Sequence, residues 1–287
     1  MPSVRDLRDR IRSMKNTQQI TKAMKQVAAA KIRRADALRK QSRPYADALA
    51  QMLQDLLAAV GHVDHPFMKP GTAGAPAGIV LMTADKGLAG AFNANLIRVG
   101  EVMLREDKNL RFYPVGNKAR NAVRRLGQDA VRTWVLQSPD KLSAAREIAA
   151  QVSDDFIAGR ISSVQLISPK LVNMMSQRPE TRQLLPVVAP EAPAAAAEGP
   201  RNAVEFEPSP EAVLSHLLPK YLEFTIYAAM LETDAAFFAA QLVAMSNASD
   251  NAKKLIDVLT VQMNNARQAS ITKEILEIVG GAEALAG

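Results

Sequence analysis

The first sixty residues carry apolar side chains at the three- and four-residue spacing of a coiled-coil seam. Between Ser3 and Val60 the chain has no glycine and one proline, Pro44. This pattern predicts one long helix over residues 1–60 that needs a partner helix, and the polar residues Gln18 and Thr21 predict a stretch where the pairing loosens or shifts. The predicted seam comprises Val4, Leu7, Ile11 and Met14, then Ala35, Leu38, Ser42, Tyr45, Leu49, Met52 and Leu56.

The end of the chain repeats this pattern over residues 208–287. Pro208 and Pro210 stand at the start of this region, and Pro219 is suited to the first position of its longer helical part. Because many seam residues are small, two backbones can approach closely, and we expect the first and last helices to pair antiparallel. The predicted seam comprises Ala235, Ala239, Leu242, Ser246 and Ser249, then, after a slip, Ala252, Ile256, Leu259, Met263, Ala266 and Ser270.

The middle of the chain changes period. Residues 61–78 are rich in Gly and Pro and are predicted to be a linker. Over 79–188, strand-like and helix-like stretches alternate, with AVRTWVLQ (130–137) among the strands, which predicts a small, mostly parallel Rossmann-like α/β domain. Residues 189–207 form an Ala/Pro-rich loop and approach segment. The predicted fold class is therefore a long antiparallel coiled coil of N- and C-terminal helices plus this domain.

Composition narrows the class of protein. The absence of cysteine excludes disulfides and thiol chemistry and is typical of a reducing compartment. We expect no membrane-spanning helix, because no stretch approaches about 20 uninterrupted apolar residues, and bacterial cytoplasm is the default location. The first forty residues hold twelve Lys or Arg against three Asp, a net of +9. Such a basic arm favours either nucleic acid or an acidic protein partner.

Motifs for chemistry are missing. Gly87 and Gly90 follow the first predicted strand, but the Lys-Ser/Thr ending of a phosphate-binding loop and a G-x-G-x-x-G pattern are both absent. We therefore predict no bound cofactor. His62, Asp64 and His65 lack a fourth ligand, so no metal site is predicted. No catalytic residues are predicted, because no nucleophile-elbow or acid–base spacing occurs.

An uncovered apolar stripe closes the chain. Large aliphatic residues recur at helical spacing up to Gly280 and Gly281, without a polar cap. A basic protein with such a tail needs something to cover it. The stripe comprises Ile271, Ile275, Ile278 and Val279.

The two ends of the chain resemble one family. IRSMKNTQQITKAMKQVAAAKIRRA (11–35) and NNARQASITKEILEIVGGAEAL (264–285) are similar to the terminal helices of the gamma subunit of bacterial-type rotary ATP synthases. DKGLAGAFN, MSQRPETRQLLP and LLPKYLEFTIYAAMLE add three ordered matches. The resemblance implies a non-catalytic, rotating central stalk inside a ring of alpha and beta subunits. Further partners would be the epsilon subunit and the membrane c-ring, on the cytoplasmic side of the inner membrane, peripheral to it.

The resemblance also assigns contacts. Arg267 and Gln268 match a catch that reaches the beta subunit, where a guanidinium and an amide make directional contacts that can be broken on rotation. Lys86 matches the basic residue facing an acidic lever of beta, with Lys22 and Lys25 adding attraction. Lys31 is assigned the same role.

Two further contact sets follow from the resemblance. The apolar tip would sit in a weakly polar sleeve that permits turning, because few directional hydrogen bonds hold it; it comprises Ile271, Ile275, Ile278, Val279 and Leu285. Val204, Phe206 and Glu207 resemble the segment that rests on the membrane ring, although Val204 replaces a common aromatic residue.

Some positions depart from the family pattern, and two other classes stay open. Ala89 replaces a common cysteine, and Phe237 and Phe238 replace a usually polar pair, for which we expect packing to be the cause. One alternative is a nucleotide- or flavin-binding enzyme built on the middle domain. The other is a basic coiled-coil adaptor or nucleic-acid binder, although the interleaved aromatic residues of a nucleic-acid module are missing.

Overall fold

The structure is a computed structural model that describes residues 3–60, 65–187 and 209–286, with side chains except at 58–60, 210–211 and 283–286. The chain divides into two units, residues 1–28 with 242–287, and residues 29–241. Each unit is described by itself. The elements are α1 (Val4–Val60), a 3₁₀ helix (Pro66–Met68), β1 (Ala77–Met82), α2 (Phe92–Glu106), β2 (Leu110–Val115), α3 (Asn117–Arg125), α4 (Lys141–Ile157), β3 (Ser163–Asn173), β4 (Ser176–Leu185) and α5 (Pro210–Ala286).

In the unit formed by residues 1–28 and 242–287, α1 and α5 run antiparallel. Leu7 and Ile11 of α1 form a buried cluster with Leu259 of α5. Further along α1, the Nζ of Lys25 donates to the Oγ of Ser246, at 2.9 Å. Residue numbers therefore rise along α1 while those of the contacting residues on α5 fall. The predicted antiparallel pairing is confirmed.

The seam of α1 keeps its phase through its polar stretch. Leu7, Met14, Thr21 and Ala28 are spaced seven residues apart, and each is buried or half-buried. The hydroxyl of Thr21 donates to the carbonyls of Thr17 and Gln18, both at 3.0 Å. Because its own helix satisfies this hydroxyl, Thr21 can stay in the seam, and the expected shift does not occur.

In the unit formed by residues 29–241, the two helices again run antiparallel. The ring centroids of Tyr45 and Phe224 lie 4.4 Å apart, and the Nζ of Lys31 lies 5.4 Å from the ring of Phe238. The seven-residue spacing that starts at Leu7 continues to Leu49 and Leu56, and Leu53, four residues after Leu49, is fully buried. The neighbouring seam positions predicted one residue earlier are exposed instead: Leu38 by 44%, Tyr45 by 53% and Met52 by 50%.

The C-terminal region is one helix, not two parts. Pro219 lies inside α5, where the prediction made it the start of a longer helix. Pro219 and Ser215 are both exposed, so the carbonyl that loses its intrahelical donor faces solvent. The predicted packing of the two phenylalanines is confirmed: Phe237 is 1% and Phe238 7% exposed, and Phe237 meets Phe92 edge to face.

By length and composition alone, α5 is apolar enough to cross a membrane. An 18-residue window within Ala212–Ala282 reaches a mean hydropathy of 1.3, and 61% of that window is buried inside the structure. This burial is what a core helix shows, because its apolar residues are covered by protein.

The sheet has the order β2-β1-β3-β4, with β1 parallel to β2 and β3, and β4 antiparallel to β3. The predicted mostly parallel sheet is therefore confirmed. Residues alternate between its faces: Val80 and Met82 join a core with α1, α4 and α5. Leu81 faces Gly100 of α2 on the other side. Helices thus cover both faces, as in α/β folds.

The predicted strand at 130–137 is wrong. This segment makes only isolated parallel bridges, from Ala130 to Phe112 and from Trp134 to Val115. The amide of Trp134 donates to the carbonyl of Pro114, so Pro114 faces this segment. Because proline has no backbone N–H, Pro114 cannot donate a hydrogen bond to this segment. The hydrogen-bond ladder is therefore interrupted between the two bridges.

Candidate functional site

The turn between β1 and α2 presents Lys86. Asp85 anchors this turn, because its carboxylate accepts from the backbone amides of Asn117 at 3.0 Å, Leu136 at 3.3 Å and Gln137 at 2.8 Å. These donors come from the start of α3 and from the segment before α4. The turn is therefore tied to two other parts of the domain.

Asn93, near the start of α2, also holds the β1–α2 turn through its side chain. Its Oδ1 accepts from the amide of Ala84 at 2.9 Å, and its Nδ2 donates to the carbonyl of Lys86 at 3.2 Å. The backbone of Lys86 is thereby fixed while its side chain is exposed. Within residues 3–60, 65–187 and 209–286, no salt bridge uses this ammonium group. It is a free positive charge on a rigid support.

The other predicted lever contacts, Lys22, Lys25 and Lys31, differ in their surroundings. Lys22 is exposed and has no salt bridge in the part of the chain that the structure describes. Lys25 donates to Ser246, and Lys31 lies over the ring of Phe238. Lys22 and Lys25 belong to the unit of residues 1–28 and 242–287, whereas Lys31 and Lys86 belong to the other. The four residues are therefore described as two separate pairs, one in each unit.

The predicted catch lies just past the paired part of α5. Ala266 is the last α5 residue packed on the cluster of Leu7, Ile11 and Leu259. Arg267 and Gln268 follow it directly and are exposed. Among the described residues the guanidinium of Arg267 has no salt-bridge partner. Both side chains are thus adjacent to each other and open to a contact outside this chain.

The predicted apolar tip is helical and uncovered. α5 continues through Gly280 and Gly281 to Ala286. No residue is buried from 267 to 282, and the exposed fractions of the four aliphatic residues are 48% for Ile271, 54% for Ile275, 72% for Ile278 and 54% for Val279. The side chain of Leu285 is outside the described ones. Within residues 3–60, 65–187 and 209–286, nothing covers the stripe.

Other predicted residues have structural roles or lie elsewhere. Val204, Phe206, Glu207, His62 and Asp64 are outside the described residues. The Nδ1 of His65 accepts from the amide of Phe67 at 3.1 Å and caps the 3₁₀ helix, and burial lowers the pKa of this imidazole. Among residues 3–60, 65–187 and 209–286, no group of three His, Asp or Glu side chains is arranged for a metal ion.

Two features were not predicted from the sequence. Leu88, two residues after Lys86, has a φ of 62°; its place between Gly87 and Gly90 is the signal that could have found it. Lys141 and Asp234 form an ion pair of 2.9 Å with both side chains mostly buried. Burial raises the pKa of Asp234, against the lowering effect of Lys141. No sequence pattern marks this pair, because its residues are 93 positions apart.

Comparison with known protein families gives a match over nearly the whole chain. The family model described as ATP synthase matches residues 3–285. An ATP synthase gamma chain of Desulforamulus reducens is 46% identical over 286 residues, covering 99% of this chain and 100% of the relative. One of Heliobacterium modesticaldum is 45% identical over 292 residues, with the same coverage. One of Phenylobacterium zucineum is 39% identical over 295 residues, again with the same coverage.

Solved structures with a similar fold come from mitochondrial ATP synthases. A chain in the rotor of the Euglena gracilis enzyme matches with a TM-score of 0.67 at 20% identity, covering 93% of this chain and 98% of that one. A chain in the central stalk and c-ring structure from Tetrahymena thermophila matches with a TM-score of 0.62 at 24% identity, covering 80% and 99%. These matches support the fold described above.

Proposed function

Because the chain belongs to the ATP synthase gamma chain family, we propose that it is the rotating central-stalk subunit of such an enzyme. It couples ion-driven rotation of the membrane ring to conformational cycling of the catalytic beta subunits and has no active site of its own. One observation carries the proposal: α5 extends beyond its last packed residue, Ala266, and exposes an apolar helical stripe at Ile271–Val279. Such an end is suited to a socket on another subunit.

The mechanism is a population shift. Each shaft angle presents a different face to the three catalytic subunits, and a face stabilises only the conformation with which it makes better contacts. The charges of the chain support this, because twelve basic residues lie among the first forty and are therefore unevenly distributed along the chain. An asymmetric shaft surface can therefore bias the three subunits differently.

Arg267 and Gln268 form the catch on the beta subunit. Both are exposed next to the last packed residue of α5. The guanidinium group can donate hydrogen bonds to carboxylates, and the amide can form hydrogen bonds with hydroxyl groups. Both kinds of hydrogen bond are directional, so they break when the shaft turns. This pair supplies the directional contact of the shaft.

Lys86 and Lys22 are the stronger of the proposed contacts with the acidic lever of beta. Both are exposed and lack salt bridges among the described residues, so each can pair with a carboxylate without giving up an internal partner. Lys25 and Lys31 join through longer-range attraction, because each already has a contact within the chain.

The apolar tip turns in a sleeve at the far end of the ring of alpha and beta subunits. Burial of Ile271, Ile275, Ile278, Val279 and Leu285 removes their apolar surface from water. An apolar sleeve holds the tip without directional hydrogen bonds, so it retains the helix while allowing rotation.

The remaining contacts follow the order of the chain. Residues 1–60 and 208–287 form the shaft, residues 61–78 link it to the α/β domain of residues 79–188, and residues 189–207 approach the membrane ring, with Val204, Phe206 and Glu207 in contact with it. The partners are the alpha, beta and epsilon subunits and the c-ring. The structures named above as rotor and as central stalk with c-ring support this arrangement. The chain is peripheral to the membrane, and we propose the cytoplasmic side of the bacterial inner membrane.

Assembly tests the proposed function. The purified chain is mixed with alpha and beta subunits, joined to membranes that contain the ring, and assayed for ATP-driven ion pumping. We expect a stoichiometric complex by gel filtration and pumping that depends on the chain, with a mixture lacking the chain as the control. A complex that excludes the chain, or that pumps equally without it, contradicts the proposal.

A further inference from the structure

A cavity lies between α1, α5 and the segment that leads into α4. Its volume is about 570 Å³, which is within the range of small-molecule binding sites. All of its walls belong to the unit of residues 29–241. One wall is a face of α1 that carries Lys31, Arg34 and Leu38. Because these residues are three or four positions apart, they lie on the same side of the helix.

Much of the remaining wall is apolar. A face of α5 contributes Tyr227, Leu231 and Phe238, also at helical spacing. Leu231 is 3% and Phe238 7% exposed. Pro139 and Leu142, next to the start of α4, extend this surface. The cavity therefore suits a ligand with an apolar body.

Two buried polar atoms of this cavity lack a hydrogen-bond partner among the residues that the structure describes. They are the Oδ1 of Asp234 and the Nε2 of Gln137. Asp234 as a whole residue is 8% exposed, and its other carboxylate oxygen pairs with Lys141. Buried polar groups nearly always have a partner, so each unpaired one calls for an explanation. A ligand that donates to the first atom and accepts from the second satisfies both.

Two exposed basic side chains line the same cavity. They are Lys31 and Arg34, and neither forms a salt bridge with another described residue. The Nζ of Lys31 lies 5.4 Å from the ring centroid of Phe238, so this ammonium group is close to the apolar wall. Asp140 also lines the cavity, but its carboxylate accepts from the amide of Ser143 as the cap of α4. The two free basic groups suit a phosphate, which guanidinium groups bind through paired hydrogen bonds.

We propose that this cavity binds a nucleoside monophosphate. One edge of a base such as adenine or cytosine carries an amino group beside an acceptor nitrogen, which matches Asp234 and Gln137. The flat faces of the base pack against the apolar walls, and the phosphate pairs with Lys31 and Arg34. No covalent bond is made or broken, so the nucleotide is an exchangeable ligand and not a substrate.

The site differs in kind from the contacts proposed for the rotor. Its residues come from three distant parts of the chain, so no phosphate-binding motif marks it in the sequence. A ligand in this cavity touches α1, α5 and the segment before α4 together, and its binding stabilises the folded chain. The inference does not depend on the proposed function, because it can be tested on the purified full chain alone.

Isothermal titration of the purified chain with AMP and with CMP tests the proposal. We expect saturable one-to-one binding of at least one of them, with a Kd on the order of 100 µM, and a higher Tm at saturation. Adenosine or cytidine lacks the phosphate, and ribose 5-phosphate lacks the base, so each should bind at least about tenfold more weakly. The proposal fails if neither nucleotide binds, or if ribose 5-phosphate binds as tightly as the nucleotide.

Substitutions separate ligand binding from folding. Gln137→Met removes a buried amide nitrogen that has no partner among the described residues. The Tm without ligand should therefore be unchanged or higher, while the Kd rises about tenfold. Arg34→Met should weaken binding by a similar factor and leave the Tm unchanged, because Arg34 is exposed.

Arg33→Met is the matched control. Arg33 is exposed on α1 beside Arg34 and does not line the cavity, so its replacement should not change the Kd. Leu38→Trp is a second test, because Leu38 is 44% exposed and a larger side chain there fills the cavity and should abolish binding. Wild-type affinity in Gln137→Met, Arg34→Met and Leu38→Trp, or an equal loss in Arg33→Met, overturns the inference.

Discussion

The Nζ of Lys141, the first residue of α4, lies 2.9 Å from the Oδ2 of Asp234 on α5. The two side chains are only 16% and 12% exposed, so this ion pair joins the α/β domain to the C-terminal helix largely out of water. The other carboxylate oxygen of Asp234 is buried and has no hydrogen-bond partner in the structure. The charge of Asp234 therefore depends on Lys141.

Replacing Lys141 should destabilise the chain in a pH-dependent way. Lys141→Met leaves a buried carboxylate unpaired, and we expect a loss of about 3 kcal/mol in the free energy of unfolding at neutral pH. Burial already raises the pKa of Asp234, and loss of the lysine raises it further. The folded state then binds the proton more readily than the unfolded state, so the penalty should shrink as pH falls.

Urea unfolding at about pH 7 and about pH 5 measures this effect. Lys40→Met is the control, because Lys40 is 69% exposed and pairs with Asp36 on the surface of α1; it should cost about 0.5 kcal/mol or less. Equal losses for the two variants, or a loss for Lys141→Met that grows with acidity, would show that the pair does not act as described.

A second buried carboxylate should make stability fall in acid. The hydroxyl of Tyr113 donates to Asp155 at 2.5 Å, and Arg160 lies 2.7 Å from the same carboxylate. Burial alone would raise the pKa of Asp155, but Tyr113, Arg160 and Arg111 together hold it below its usual value of 3.8. The unfolded state therefore binds the proton more readily, and this stabilisation is present above the unfolded pKa and lost as pH falls through the folded pKa.

Asp155→Asn isolates this contribution. We expect a loss of about 3 kcal/mol at neutral pH, because the charge that pairs with Arg160 is removed from a buried position. The difference from wild type should narrow below about pH 4. Tyr113→Phe keeps the charge and removes one hydrogen bond, so it should cost less, about 1 to 2 kcal/mol. A difference that stays constant down to acid pH would argue against the titration of Asp155.

Neighbouring residues on α1 should differ sharply in their effect on stability. Leu53 is fully buried and Met52 is 50% exposed. Leu53→Ala should lower the free energy of unfolding by about 3 kcal/mol, because it leaves a cavity, whereas Met52→Ala should change it by about 0.5 kcal/mol or less. Thermal or urea unfolding measures the free energy of unfolding of both variants. The two substitutions lie in the same helical turn, so they differ mainly in burial. The reverse order would mean that Met52, which the sequence placed in the seam, packs there in place of Leu53.

This register error shows what the pattern of apolar residues could and could not decide. The period predicted both long helices, because large and small apolar residues recur every seven positions along α1. It could not choose between Met52 and Leu53, since both lie three or four residues from a buried neighbour. Ala35, Leu49 and Leu56 were predicted in the seam and are buried, so only the alternate positions Leu38, Tyr45 and Met52 were placed one residue early. A hydroxyl that bonds within its own helix keeps a polar residue in the seam, and that cannot be read from residue type.

The α/β domain was predictable where strands are buried on both faces. β1 is a continuous apolar run and needs no alternation to be recognised. The segment at 130–137 has the same apolar residues, yet Pro114, distant in sequence, interrupts its pairing. The β3–β4 hairpin was missed beyond Ser168 because its outer part is polar; its turn depends on Asn173, whose side chain accepts from the amides of Met175 and Ser176. Leu88 belongs to no apolar period, and its left-handed backbone was not predicted although Gly87 and Gly90 signal a turn.

The catch should affect coupling without affecting folding. Arg267 and Gln268 are exposed, so replacing both with alanine should leave the Tm of the purified chain unchanged. In the assembled complex we expect coupled turnover to fall about tenfold, which corresponds to the loss of about one charge-assisted hydrogen bond. Lys253→Ala, also exposed on α5, is the control and should turn over normally. Wild-type turnover by the double variant in an intact complex would exclude the proposed role.

The apolar tip should likewise matter only in the complex. A chain truncated before Ile275 loses a segment whose described side chains, at 275–282, are all exposed, so its unfolding should match that of the full chain. Its seating should weaken, because about 1.5 to 3 kcal/mol of burial is lost for each large aliphatic residue that the sleeve would cover. Gel filtration of the complex measures rotor retention, with Ile275→Leu as a variant that keeps the apolar surface. We expect the truncated chain to separate from the ring of alpha and beta subunits while Ile275→Leu stays bound. Equal retention of both would show that the exposed end of α5 is not held by a socket.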